Sequence, residues 1–219
     1  MQMRIKWKYK GKKIEPVWFE SQWLQRKMII SLMNDISKTG RVLDLIIEDE
    51  MGNEWTPKEF QKLEVELDQA PENITVYFDG GFDIQSSLSG LGMVVYYEKN
   101  GQKWRVRKNE RLEELENNNE AEYAALYASL TVLEELGVHH MPLTIKGDSQ
   151  VVLMQLQGEW PCFEKVLNEW LDRIEAKLDQ LKLKPRYELI PRKQNKEADQ
   201  LANQALEGTQ IESESKIRE

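Results

Sequence analysis

Cysteine is almost absent: Cys162 stands alone among 219 residues. One cysteine excludes an internal disulfide framework and a multi-cysteine zinc site, and it suits a reducing compartment. No apolar run approaches the length that spans a bilayer. Positive charge is in deficit, with 30 lysines and arginines against 38 acids, a net charge of −8 and a pI near 5.1. Such a chain does not coat nucleic acid by bulk electrostatics; a contact needs a local basic patch or metal ions. The N-terminal stretch MQMRIKWKYKGKK is basic but lacks the apolar core of a signal peptide, so the expected location is cytoplasmic, with no membrane partner. What is present, 40% hydrophobic and 31% charged residues, fits an ordinary globular protein with material for one large domain or two modest ones.

The chain divides at Ala70-Pro71-Glu72-Asn73, where helical periodicity breaks. Residues 1–70 read as a small α+β domain. Strands are expected at 3–9 and 14–19 around Gly11, with tryptophans and tyrosine alternating with lysines. Apolar residues at helical spacing over 20–38 (Trp23, Leu24, Met28, Ile29, Leu32, Met33, Ile36) predict a helix that Gly40 ends. A strand at 42–48 and a turn at 51–53 follow. Thr56 then caps a helix, with Pro57 at its first position and Glu59 at capping-box spacing. Residues 74–207 alternate differently. Strands are expected at 74–81, 91–98, 102–108, 142–148 and 186–190, and helices at 119–136, 149–157, 162–181 and 195–206. Asn100-Gly101 marks a hairpin. The first three strands can pair antiparallel, while the later ones need crossover helices, so the sheet is α/β and mixed. The polar tail 208–219 is expected to be disordered.

Four acids fall where such a sheet assembles a site. Asp79 and Asp148 are placed at strand ends, and Glu122 and Asp199 in the early turns of helices. Strand ends and helix starts meet at one rim of an α/β sheet. Four carboxylates there repel one another unless a divalent cation lies between them, and Mg²⁺ takes hard oxygen ligands. Two such ions suit phosphodiester hydrolysis. Each acid also has a plainer reading: Asp148 as a helix N-cap, Glu122 and Asp199 as solvated helix residues.

The words around the acids are YFDGG (77–81), NNNEAEYAAL (117–126), IKGDSQ (145–150) and NKEADQLANQAL (195–206), in that order. Together they resemble the type 1 ribonuclease H family, particularly its compact prokaryotic branch, over about residues 74–207. The resemblance implies a ribonuclease-H-like five-stranded sheet of order 3-2-1-4-5 with helices on both faces. It implies an endonuclease that hydrolyses the RNA strand of RNA–DNA hybrids with two Mg²⁺ ions, Mn²⁺ being a possible substitute. It makes Asp79 the acid that bridges both ions and Glu122, rather than Glu120, the helix glutamate. Asp148 becomes the ligand that helps orient the attacking water, and Asp199 the more loosely held fourth ligand. Gly80 and Gly81 would let the backbone approach the scissile strand, and Gly90 and Gly92 match the glycine pair of the second strand. Asn118, Asn119 and Gln150 match the amides that read the hybrid's minor groove, where the 2′-hydroxyl distinguishes RNA from DNA. Their plainer reading is a helix-cap cluster for the two asparagines.

Two positions depart from the family pattern. Asn117 replaces the threonine that helps hold a DNA phosphate. The loop before the last helix, Pro191-Arg192-Lys193-Gln194-Asn195, lacks the family's histidine, and His139 and His140 match no family position. Arg192 is left either to contact phosphate, to stand in for the histidine, or to be a generic basic residue. The departures leave open two alternatives: a weak or inactive nucleic-acid-binding relative, and a nuclease for another RNA. In residues 1–70, Lys6, Lys8, Lys10, Lys12 and Lys13 interleave with Trp7 and Tyr9. That pattern reads as a nucleic-acid backbone contact or as a solvated strand face, and dimerisation or protein binding is equally open.

Overall fold

The computed structural model describes residues 2–50 and 52–217, with the side chains of 66–69 outside the description. The chain forms two units, Met1–Gln69 and Ala70–Glu219.

In the N-terminal unit the order is β1 (Gln2–Tyr9), β2 (Val17–Glu20), β3 (Leu24–Gln25), α1 (Arg26–Lys38), β4 (Val42–Asp49), β5 (Glu54–Trp55) and α2 (Pro57–Gln69). The strands run β2-β1-β4-β5, and β3 also pairs with β1. Met3, Ile5, Leu45 and Ile47 alternate inward and meet Ile29, Met33 and Phe60. The expected helix at 20–38 starts only at Arg26, because Leu24 is taken into a strand opposite Met3. Ser21 also locks its own segment to β1, its Oγ accepting from the Ile5 amide at 3.0 Å. The capping box is present: the Glu59 carboxylate accepts from the Thr56 amide at 2.9 Å, and the Glu59 amide reaches Thr56 Oγ1 at 3.4 Å. In the expected 51–53 turn, Met51 lies outside the described residues.

The second unit carries β6 (Glu72–Asp83), β7 (Leu88–Lys99), β8 (Gln102–Leu112), α3 (Asn118–Glu135), β9 (Pro142–Gly147), α4 (Gln150–Leu156), α5 (Lys165–Gln180), β10 (Lys184–Leu189), α6 (Lys196–Leu206) and β11 (Glu212–Lys216). The sheet order is β10-β9-β6-β7-β8-β11, which contains the expected 3-2-1-4-5 arrangement plus one edge strand. Asn100 and Gly101 both take positive φ, 55° and 67°, as the tight β7–β8 hairpin requires. One face of the sheet packs on α3, α4 and α5 through a large core that includes Val76, Phe78, Leu126 and Ile174. The other face packs on α6 through Val94, Ala198 and Leu201.

The expectation of disorder from 208 onward is corrected by β11, which pairs antiparallel with β8 from Glu212↔Lys108 to Lys216↔Trp104; residues 218–219 lie outside the description. Glu212–Lys216 is exposed along its length, so it has no inward apolar alternation for a sequence reading to detect. Its anchor is polar. Buried Asn109 donates to the carbonyls of Leu201 (3.0 Å) and Thr209 (2.9 Å) and accepts from the Ile211 amide at 2.7 Å. Tyr97 also donates to Glu214.

Candidate active site

Asp79 is not at a strand end. Strand β6 runs on to Asp83, but its pairing with β9 stops at Tyr77↔Lys146. Beyond that point β6 and β9 diverge, leaving Asp79 and Asp148 at an open rim. Asp148 follows the last residue of β9 and does not cap α4, whose N-cap is Ser149.

Missing Cβ atoms bring the helices in. A Cβ on Gly80 would lie 2.2 Å from the Ala121 carbonyl carbon and 2.3 Å from the Glu122 nitrogen. The close approach at Gly80 is therefore that of α3, which carries Glu122 to the rim. A Cβ on Gly92, the register partner of Asp79, would lie 2.0 Å from the Ala198 oxygen, and one on Gly90 would lie 2.1 Å from the Ala202 oxygen. Helix α6 thus sits directly on β7, next to Asp79, and carries Asp199. Gly81 meets only Leu206, at an ordinary 3.5 Å.

The four acids interact electrostatically. Burial, with the charges of Asp148 and Asp199 acting in the same direction, pushes the Asp79 carboxyl up to about 7. Burial likewise raises Glu122 to about 9, reinforced by Asp79 and Asp148 and opposed by the Gly80 backbone N–H. Glu122 Oε2 is buried with no hydrogen-bond partner. Its neighbour Glu120 is otherwise engaged, accepting from the Glu116 amide at 2.9 Å and from Trp170 Nε1 at 3.0 Å. Arg192 is 79% exposed and donates to Asp199 at 2.6 Å.

Asn195 was not among the expected site residues. It is 1% exposed and occupies the N-cap position of α6, yet its side chain makes no cap bond. Nδ2 instead donates to the Phe78 carbonyl (2.9 Å) and to Asp148 Oδ1 (2.6 Å), and lies 3.5 Å from Asp79 Oδ1. All three neighbours are acceptors, so the amide nitrogen must face them. The signal in the sequence was an asparagine four residues before Asp199, and its ordinary reading is a helix cap.

The amides expected to meet substrate are exposed. Asn117 is the N-cap of α3, accepting from the Glu120 amide at 2.9 Å. Asn118 accepts from the Phe82 amide at 3.3 Å, tying the helix start to β6. Asn119 and Gln150 lie in the first turns of α3 and α4.

The donor set is all hard oxygen, and a divalent cation would satisfy both the unpartnered Glu122 oxygen and the mutual repulsion of the acids. Among the described residues, no three His, Cys, Asp or Glu side chains already converge at metal-ligand spacing. Asn195 and Arg192 hold Asp148 and Asp199.

An RNase H-like α/β fold with an acidic rim defines the class. Residues 77–205 match the reverse transcriptase-like family. The chain belongs to that family and is one of its RNase H-like members. It is 49% identical over 199 residues to YpeP, an uncharacterized protein of Bacillus subtilis (strain 168), covering 91% of this chain and 88% of that one. It is 36% identical over 95 residues to Ribonuclease HI of Halobacterium salinarum (strain ATCC 700922 / JCM 11081 / NRC-1), covering 41% and 44% of the two chains. The crystal structure of LC11-RNase H1, isolated from compost, in complex with an RNA/DNA hybrid matches with a TM-score of 0.54 and 28% identity. It covers 62% of this chain and 98% of that one. Among the described residues, no helix is long and apolar enough to cross a membrane.

Proposed function

We propose that the second unit hydrolyses the RNA strand of RNA–DNA hybrids, with Asp79, Glu122, Asp148 and Asp199 holding two Mg²⁺ ions or Mn²⁺ in their place. The carrying observation is the acid group itself: Asp79 and Glu122 are buried, 8% and 9% exposed, and held against other carboxylates. The likeness to a protein crystallised with an RNA/DNA hybrid supports the substrate. When bound, the ions supply Lewis acidity to the phosphodiester and lower the proton affinity of the attacking water.

The chain's own residues do the rest. Asn195 keeps Asp148 directed at Asp79, and Gly80 and Gly92 let α3 and α6 bring Glu122 and Asp199 to the same rim. Asn118, Asn119 and Gln150 present amides that both donate and accept, as a 2′-hydroxyl requires. Gly81 leaves the backbone beside Asp79 open to the scissile strand. Arg192, on a single turn of 3-10 helix (Arg192–Gln194), would contact a phosphate on leaving Asp199.

The test is cleavage of an end-labelled hybrid in Mg²⁺ or Mn²⁺. Wild type cuts the RNA strand and Asp79→Asn does not; robust cutting by that variant sinks the assignment. A second reading, hybrid binding without turnover, is favoured by the Arg192–Asp199 bond and the absence of a loop histidine. Hybrid affinity without cleavage in either metal selects it.

A further inference from the structure

The N-terminal unit carries a surface that the acid site does not explain. Strand alternation separates its charges. On one face of the β2-β1-β4 sheet, Arg4 and Lys6 pair with Glu48 at 2.5 and 2.9 Å, and Arg4 also pairs with Glu20 at 3.2 Å. Asp44 lies on that face as well, opposite Lys8. On the other face, beyond the packed core, a pocket of about 560 Å³ opens among Trp7, Tyr9, Phe19, Ile36, Val42 and Arg41. Trp7 and Phe19 are cross-strand partners stacked at 5.6 Å and 22°. Tyr9 stands edge-on to Phe19 and accepts from Arg41 Nη1 at 2.8 Å. Among the described residues, no acid lines this pocket.

Cations gather at its end. The Lys10 amide donates to the Arg41 carbonyl at 2.8 Å, which puts Lys10 beside the rim, and Lys12 and Lys13 follow in the turn to β2. All three are exposed, and none has an ion-pair partner among the described residues. Ile14, Val17, Trp18 and Phe19 are also exposed, by 60, 45, 47 and 48%. A hairpin that merely faced water would not show four large apolar side chains in six residues.

We infer that this end of the N-terminal unit binds a single-stranded polynucleotide, with a base stacked on Phe19 and Trp7 and backbone phosphates on Lys10, Lys12, Lys13 and Arg41. Flat aromatic faces beside unpaired cations suit every base and every phosphate, giving affinity with little sequence preference. The occupant is chosen by charge complementarity together with the ring pair: an acidic protein would use the lysines but not the stacked rings. The inference is independent of the reading of the acid site.

The test uses the full chain and fluorescence anisotropy with labelled oligothymidylate and oligouridylate of roughly 12 nucleotides, and polyglutamate as the competitor. Binding of either strand supports the inference, and their ratio reports the preferred sugar. Phe19→Ala, at an exposed ring, should weaken binding roughly 5- to 150-fold. Reversing Lys10, Lys12 and Lys13 to Glu should flatten the slope of log affinity against log salt by about 2. Both variants should stay folded, with a cooperative melt, and keep wild-type cleavage of a short hybrid. Unchanged affinity in Phe19→Ala, or polyglutamate competing as well as the oligonucleotides, overturns the inference. A loss of hybrid cleavage in Asp79→Asn leaves it standing.

Discussion

Replacing Asn195 with alanine isolates what one buried amide does for the acid rim. Its Nδ2 donates to a backbone carbonyl at 2.9 Å and to the Asp148 carboxylate at 2.6 Å. Alanine leaves the Phe78 carbonyl without this partner, at about 1–3 kcal/mol, and removes a bond to a charged group worth about 1.5–3 kcal/mol. Asp148 is only half-buried and can recruit water, and alanine also removes the unpartnered Asn195 Oδ1, which together return part of these contributions. The expected net loss is about 2–4 kcal/mol. For a unit of this size, each kcal/mol moves the midpoint by about 2–4 °C, so the transition should fall by roughly 4–16 °C. The assay is calorimetry of the full chain in chelator, following the transition of the second unit. Asn195→Asp, of equal shape, should fall at least as far near neutral pH, because it sets a third carboxylate against Asp79 and Asp148. A midpoint for Asn195→Ala within about a degree of wild type would refute the reasoning, since one unmet buried carbonyl alone should cost more than that.

Metal-free stability should decline as pH rises. In the folded chain Asp79 and Glu122 sit at about 7 and about 9, above the ordinary 3.8 and 4.5. The native state therefore holds protons that the unfolded chain has released, and stability is lost between the ordinary and the raised values. Glu122→Gln should flatten that decline, and Mn²⁺ should reverse it in wild type but less so in the variant; melts across pH 5–9 in chelator check this. Glu48 works in the opposite sense. Hydrogen bonds from Arg4 and Lys6 hold it at about 2, below the ordinary 4.5, so its contribution to the N-terminal unit is present above 4.5 and lost as pH falls toward 2. Glu48→Gln should remove that acid limb from the unit's unfolding curve. Gly92→Ala should cost about 1–3 kcal/mol or more, because its Cβ meets the Ala198 carbonyl at 2.0 Å. It should lower hybrid cleavage further than its stability loss predicts, since α6 must lift away from Asp79. Asn109→Ala should expose the segment from Thr209 onward to proteolysis, read by mass spectrometry of limited digests.

The sheet was legible because its strands carry inward apolar residues and its hairpin an Asn-Gly pair, both local signals. What escaped detection is held by polar, long-range contacts. Strand β11 is exposed throughout and depends on Asn109, about a hundred residues away in sequence. Leu24 reads as helical by spacing but pairs with Met3, a tertiary override of local periodicity. At the candidate site, residue types and order were readable and geometry was not. Asp79 was placed at a strand end because DGG resembles a terminus, whereas those glycines lie inside β6 and yield space to α3. Asn195 drew no assignment in the sequence, since Asn before a helix is ordinarily a cap; only the fold shows its amide turned inward.

Four costs coincide at this rim. Asn195 gives up its cap bond and leaves Oδ1 buried without a partner, and Glu122 Oε2 is likewise unpartnered. Asp79 and Glu122 are buried against like charge, while Arg192, the basic residue beside them, is engaged with Asp199. Apolar side chains at Asp79 and Glu122 would pack against the same core with none of these penalties. At several other points of this unit local preference and tertiary packing agree: Asn-Gly in the hairpin, Asn117 capping α3, and glycine at 80, 90 and 92, where a helix backbone meets a strand. Buried carboxylates set against like charge are the kind of conflict expected where stability is given up for ligand binding. The species that would relieve the carboxylate conflicts, the unpartnered Glu122 oxygen and the buried like charges, is cationic and accepts oxygen ligands. A cation site at this rim is refuted if removing the Glu122 charge leaves the metal-free protein no more stable at high pH.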